Sequence, residues 1–109
     1  MAHKQIATSQ ELQDFMKENN GIVVVDCFAT WCPPCKMIAP FAEEFNKKYG
    51  VALATVDVDQ SPELSQSFQI SAMPTFLVVK GQWNNVVKNL VGADKAKLEE
   101  LFVFANNNK

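Results

Sequence analysis

Residues Ile22 to Phe28 read Ile-Val-Val-Val-Asp-Cys-Phe, a β-branched and nearly unbroken apolar run that only Asp26 interrupts. A strand with one wet face alternates apolar and polar side chains, whereas one covered on both faces does not. The run therefore predicts a strand inside a sheet with layers packed on both sides. Val51 to Val58 has the same character, and Thr75 to Lys80 and Val86 to Leu90 read as two further strands joined by a turn around Gly81.

Helical patterns fall between these strands. Thr8-Ser9-Gln10-Glu11 is a capping-box pattern with Thr8 or Ser9 as the N-cap, and Leu12, Phe15 and Met16 follow at helical spacing until Asn19-Asn20-Gly21. Met37, Ile38, Phe41, Phe45 and Tyr49 share a helix face that Gly50 closes, with Pro40 expected to kink the helix because it lacks an N–H. Ser61-Pro62-Glu63 opens a short helix, with Ser61 as cap and Pro62 at the first position. Asp94 caps a last helix carrying Leu98, Leu101 and Phe102, and Asn106 to Lys109 is expected to fray. The order is β-α-β-α-β-α-β-β-α. It predicts an α/β fold whose early strands are parallel and whose last two are antiparallel.

A chain of 109 residues suits one domain, expected to span 1–109, and eight Phe with two Trp supply bulk for its core. The net charge of −2, with both signs interspersed, gives no basic stripe for nucleic acid. No apolar run approaches the ~20 residues that span a bilayer. The N-terminal Met1-Ala2-His3-Lys4-Gln5-Ile6 lacks the apolar stretch of a secretory signal. Three cysteines, an odd and small count, then suggest a cytoplasmic protein whose thiols stay reduced. A structural zinc site needs four N or S ligands, so no metal is expected from three Cys and one His.

The chemistry concentrates at Trp31-Cys32-Pro33-Pro34-Cys35-Lys36. Cysteines at i and i+3 in the first turn of a helix project from one face and can close a small disulfide ring. The free N–H groups and positive dipole end there favour a thiolate at Cys32, at or near the N-cap, and Lys36 adds positive charge. Since the thiolate is the nucleophile of disulfide exchange, Cys32 is the expected attacking group. Cys35, one turn deeper, is expected to be more shielded and to resolve the mixed disulfide from within. Pro33 and Pro34 occupy positions whose N–H groups have no partner in the helix anyway.

With Val25-Asp26, Ala29-Thr30-Trp31-Cys32-x-Pro34-Cys35-Lys36-Met37-Ile38-Ala39-Pro40, Val56-Asp57-Val58-Asp59, Met73-Pro74-Thr75-Phe76 and Val91-Gly92-Ala93 in order, nearly the whole chain resembles the thioredoxin family. The resemblance implies a thioredoxin fold, a central mixed five-stranded sheet flanked by four helices, and a monomer that reduces protein disulfides with no cofactor beyond Cys32–Cys35. It implies Cys32 as nucleophile, Cys35 as resolving thiol and Asp26 as a buried carboxyl that handles protons for Cys35. Pro74 would be a cis-proline and Met73 would offer backbone hydrogen bonds to a bound strand. Trp31, Pro33, Pro34, Met73, Gly92 and Ala93 would form a shallow docking surface around the sulfurs. The implied electron donor is an NADPH-dependent thioredoxin reductase; implied targets are peroxiredoxins, methionine sulfoxide reductases and ribonucleotide reductase.

Four departures stand out. Pro33 takes the place of the usual Gly. A Cys-Pro-Pro-Cys site also occurs in plant h-type thioredoxins, nucleoredoxin and tryparedoxins, so a relative with another dithiol donor is an alternative, as is an interaction subunit. Cys27 replaces an aromatic beside Asp26; alternation points it away from Asp26, as a small hydrophobe rather than a regulatory thiol. Thr55 stands where many members carry Lys. The stretch Lys80 to Asn85 is long for the hairpin and carries Trp83, read as cover for the sheet edge. His3 is read as inert. Asp26 as a mere structural anchor is the bland reading, set against the cost of burying a carboxyl without a role.

Overall fold

The computed structural model describes residues 2–109, which places Met1 outside the described residues. Five strands, β1 (His3–Gln5), β2 (Ile22–Phe28), β3 (Ala52–Asp57), β4 (Thr75–Lys80) and β5 (Val86–Val91), form one sheet in the order β1-β3-β2-β4-β5. β1 and β2 each run parallel to β3, while β4 is antiparallel to both β2 and β5. This is the mixed sheet expected, with β2 at its centre and a packed layer on each of its faces, which is why its sequence is apolar on both.

Helices α1 (Ser9–Glu18) and α3 (Pro62–Ser67) cover one face, and α2 (Pro33–Tyr49) and α4 (Lys95–Asn107) cover the other. Alternation along β2 divides its side chains between the layers. Val23, Val25 and Cys27 pack with Leu12, Phe15, Met16 and Leu64; Ile22 and Val24 pack with Ile38, Phe45, Leu98 and Phe102. Asp26 shares the second set's parity and so points toward α2.

Thr8 proves to be the α1 N-cap, its hydroxyl accepting the Glu11 N–H at 3.1 Å. Asp94 caps α4 by accepting from Lys97 N–H at 3.0 Å. Ser61 holds the N-cap position of α3, but its side chain makes no capping bond. α2 continues past Pro40 as one element. The expected fraying at Asn106 is overturned: α4 runs to Asn107, and Lys109 Nζ donates to the Gly50 carbonyl at 2.6 Å. An ammonium there satisfies a carbonyl left free by the end of α2, where a left-handed Gly50 stops the helix. Trp83 is half-buried on the α1/α3 face, edge-on to Phe68 at 5.9 Å between ring centroids, and Gln13 Oε1 accepts its backbone N–H at 2.9 Å. It therefore closes a helical layer rather than the sheet edge. No helix among the described residues is long and apolar enough to cross a membrane.

Candidate active site

β2 ends at Phe28, and four residues separate it from α2. Cys32, extended at φ −99° and ψ 104°, is the N-cap of α2, with Pro33 and Pro34 in its first turn. Prolines here cost no ladder bond, and the first N–H the helix presents is that of Cys35. It donates to Cys32 Sγ at 3.3 Å. The capping atom is thus the sulfur itself, which is where a developing thiolate gains most from the N–H and the helix dipole. Cys32 and Cys35 are joined as a disulfide with 5.3 Å between their Cα atoms.

The expected difference in shielding is absent in this disulfide form: each cysteine is 4% exposed. Both cysteines pack with Ala29, Phe28, Val58 and Met73. What separates them is their surroundings. Cys32 Sγ lies 3.7 Å from the partly buried Met73 carbonyl. Cys35 lines a cavity of about 300 Å³ that also touches Asp26, Phe28, Ala29, Thr30, Lys36, Ala39 and Thr55.

Asp26 is 5% exposed, and its Oδ1 is buried without a hydrogen-bond partner. Burial alone pushes its carboxyl up to about 7 from an ordinary 3.8, since desolvation disfavours the charged form and no cation compensates it. Thr55 is its register partner on β3, so the adjacent side chain brings a hydroxyl rather than a charge. Cys27 sits in the opposite layer, fully buried, its thiol pushed up to about 12 by burial and then by the Asp26 charge. That is a small hydrophobe in practice.

Around the sulfurs, Trp31 is 63% exposed and its indole Nε1 donates to Asp59 Oδ2 at 2.8 Å. The Met73–Pro74 peptide is cis. Pro74 O accepts the Gly92 N–H at 2.8 Å, which sets the β5 end beside the Met73 segment. Gly92 has φ +108°, a left-handed conformation that disfavours any side chain, and the space beyond it is open.

The family model described as Thioredoxin matches residues 3–104. The chain belongs to the thioredoxin family. It is 42% identical to a thioredoxin of Coprinus comatus over 95 residues, covering 83% of this chain and 88% of that one. It is 43% identical to Thioredoxin 1 of Plasmodium falciparum over 98 residues, covering 89% and 92%. The reduced thioredoxin pre-protein of Schistosoma mansoni superposes with a TM-score of 0.85 at 38% identity, covering 96% of this chain and 99% of that one. As a member of the thioredoxin family the chain is a disulfide oxidoreductase, and its redox group is the Cys32–Cys35 pair.

Cys32 and Cys35 pack with Met73, Trp31 precedes them, Pro33 and Pro34 lie between them in the first turn of α2, and Pro74 O accepts the Gly92 N–H. Ala93 follows Gly92, half-buried against the α2/α4 layer. Lys36 is exposed on the first turn of α2 at the cavity wall. Asp59 escaped the reading of individual residues, though it closes the Val56-Asp57-Val58-Asp59 segment. Its signal was an acidic residue just past a buried strand, and nothing local says which donor it meets. Among the described residues, no group of three or more His, Cys, Asp or Glu side chains could hold a metal ion.

Proposed function

We propose that this thioredoxin-family chain reduces disulfides in target proteins, with Cys32 as nucleophile and Cys35 as resolving thiol. The observation that carries the assignment is the Cys35 N–H donating to Cys32 Sγ at the α2 N-cap. It favours the thiolate on Cys32, and Lys36 on the same turn supports it. Cys32 S⁻ attacks one sulfur of the target disulfide, forming a mixed disulfide and expelling the other target sulfur as thiolate. Asp26 takes the Cys35 proton; Cys35 S⁻ then attacks Cys32 Sγ and expels the second target thiolate. Two electrons leave this chain, and Cys32–Cys35 closes.

The target's backbone lies along Met73 and the cis Pro74, against the apolar rim of Trp31, Pro33, Pro34, Gly92 and Ala93. The chain works as one domain and a monomer in the cytoplasm. It is recharged by an NADPH-dependent thioredoxin reductase and serves peroxiredoxins, methionine sulfoxide reductases and ribonucleotide reductase. Pro33 favours a second reading, in which a low-molecular-weight dithiol is the donor. Insulin reduction tests both: turnover with NADPH and thioredoxin reductase supports the first, and turnover with the small dithiol alone supports the second. Absence of turnover with either donor overturns protein-disulfide reduction.

A further inference from the structure

Asp26 is 5% exposed and its Oδ1 has no partner, so its proton traffic with bulk water must pass through the cavity it lines. Each turnover requires it to accept a proton and release it. The cavity that touches Asp26 and Cys35 together offers the route, and Thr30, Lys36 and Thr55 share its wall. Thr30 lies on the loop before the dithiol and Lys36 on α2, both exposed. Thr55 is the half-buried member, and the strand register sets it directly against Asp26. Of the cavity's other lining residues, Phe28, Ala29 and Ala39 bring only apolar side chains.

We propose that Thr55 is a positioning residue: its hydroxyl holds the water that carries the proton between Asp26 and bulk solvent. The inference rests on Asp26 being the proton acceptor. A water needs room for about one probe sphere and two to four polar partners. About 300 Å³ supplies the room. The Asp26 carboxyl, the Thr55 hydroxyl and, once reduced, the Cys35 thiol supply the partners. A hydroxyl suits relay because it donates and accepts at once. The other groups that bear on Asp26 do not substitute for it. The Lys36 ammonium donates only. Cys27 faces the opposite layer, and from β4 the register partner is Phe76. Asp57, two residues along β3, has its Oδ1 engaged by the Asp59 N–H at 3.0 Å.

The test is stopped-flow reaction of the reduced protein with excess DTNB, whose second equivalent of coloured thiolate reports the Cys35 attack. Thr55→Val keeps the β-branched shape that suits a strand and removes the hydroxyl. It should slow the second phase about tenfold near pH 6, where Asp26 starts protonated and must pass its proton to bulk before it can take that of Cys35, and converge on wild type near pH 10, where Asp26 starts ionised and hydroxide takes the Cys35 proton directly. Thr55→Ser should restore the wild-type profile, since a packing role would be mended by Val and not by Ser. If Val matches wild type throughout, or if Ser is as slow as Val, Thr55 does not position the relay. Asp26→Asn is the control for the underlying reading. A slow second phase there with a normal Thr55→Val sinks the relay alone, whereas a normal second phase in Asp26→Asn sinks the proton acceptor and the relay with it.

Discussion

The Trp31 indole N–H reaches Asp59 Oδ2 at 2.8 Å, tying the residue before the dithiol to the loop after β3. The bond lies at the surface, so its net worth to folding is about 1 kcal/mol or less. It fixes a large exposed ring, and the proposed rim needs that ring held before a target arrives, since ordering it on binding costs about 0.5–1.5 kcal/mol. Asp59→Ala should therefore raise KM for insulin about threefold to tenfold while leaving kcat and the urea midpoint nearly unchanged. Asp59→Asn, which keeps an acceptor, should behave like wild type. A KM unchanged in the Ala variant would show that the tether is incidental.

Cys35→Ser removes the resolving sulfur, so target proteins should accumulate as mixed disulfides on Cys32. Cys32→Ser should trap almost nothing. Peptide mass spectrometry of the trapped species decides the matter, and targets found on Cys35 would reverse the two roles.

Asp26 sets stability and catalysis against each other. Its folded pKa stands near 7, above the ordinary 3.8, so the folded state holds the proton more tightly than the unfolded chain. The neutral form's advantage is intact at low pH and is eroded as pH climbs from about 4, with the loss complete once pH passes the folded value. At ~1.4 kcal/mol per unit the penalty above pH 7 reaches about 4 kcal/mol as an upper bound. Asp26→Ala should thus unfold at higher urea than wild type at pH 8, with most of the gap closing by pH 4. A variant less stable than wild type at pH 8 would make Asp26 a structural anchor.

Cys27 should be silent. With its thiol pushed up to about 12 inside the α1/α3 layer, the reduced native protein should show two thiols to DTNB at pH 8 and three in denaturant. Three under native conditions would mean that the layer opens readily.

The two layers should tolerate loss of bulk poorly. Phe102 is fully buried and its ring centroid lies 5.9 Å from that of Phe45, holding α4 against α2. Phe102→Ala should cost about 3–5 kcal/mol in urea unfolding. A loss below 1 kcal/mol would show that the α2/α4 layer repacks freely.

What the sequence determined by itself is what short-range physics controls. The apolar run of β2, the cap at Asp94 and the cysteine pair at the mouth of α2 each depend on residues within a turn or a strand of one another. Their outcome is legible wherever periodicity and capping agree. Only the tertiary structure decided the rest. The expected order begins with a strand, but His-Lys-Gln has no strand pattern to place it, and only the β3 ladder fixes where β1 lies. Asp26 faces Thr55, Trp31 meets Asp59 and Lys109 reaches Gly50 only through pairings distant in the chain. The equal burial of the two cysteines comes from Ala29, Phe28, Val58 and Met73 packing around the disulfide, of which Val58 and Met73 are distant from it in the chain. Strand register and loop closure are set by the whole fold's free energy. A local pattern can say that a carboxyl will be buried; which hydroxyl stands beside it follows only when the sheet is assembled.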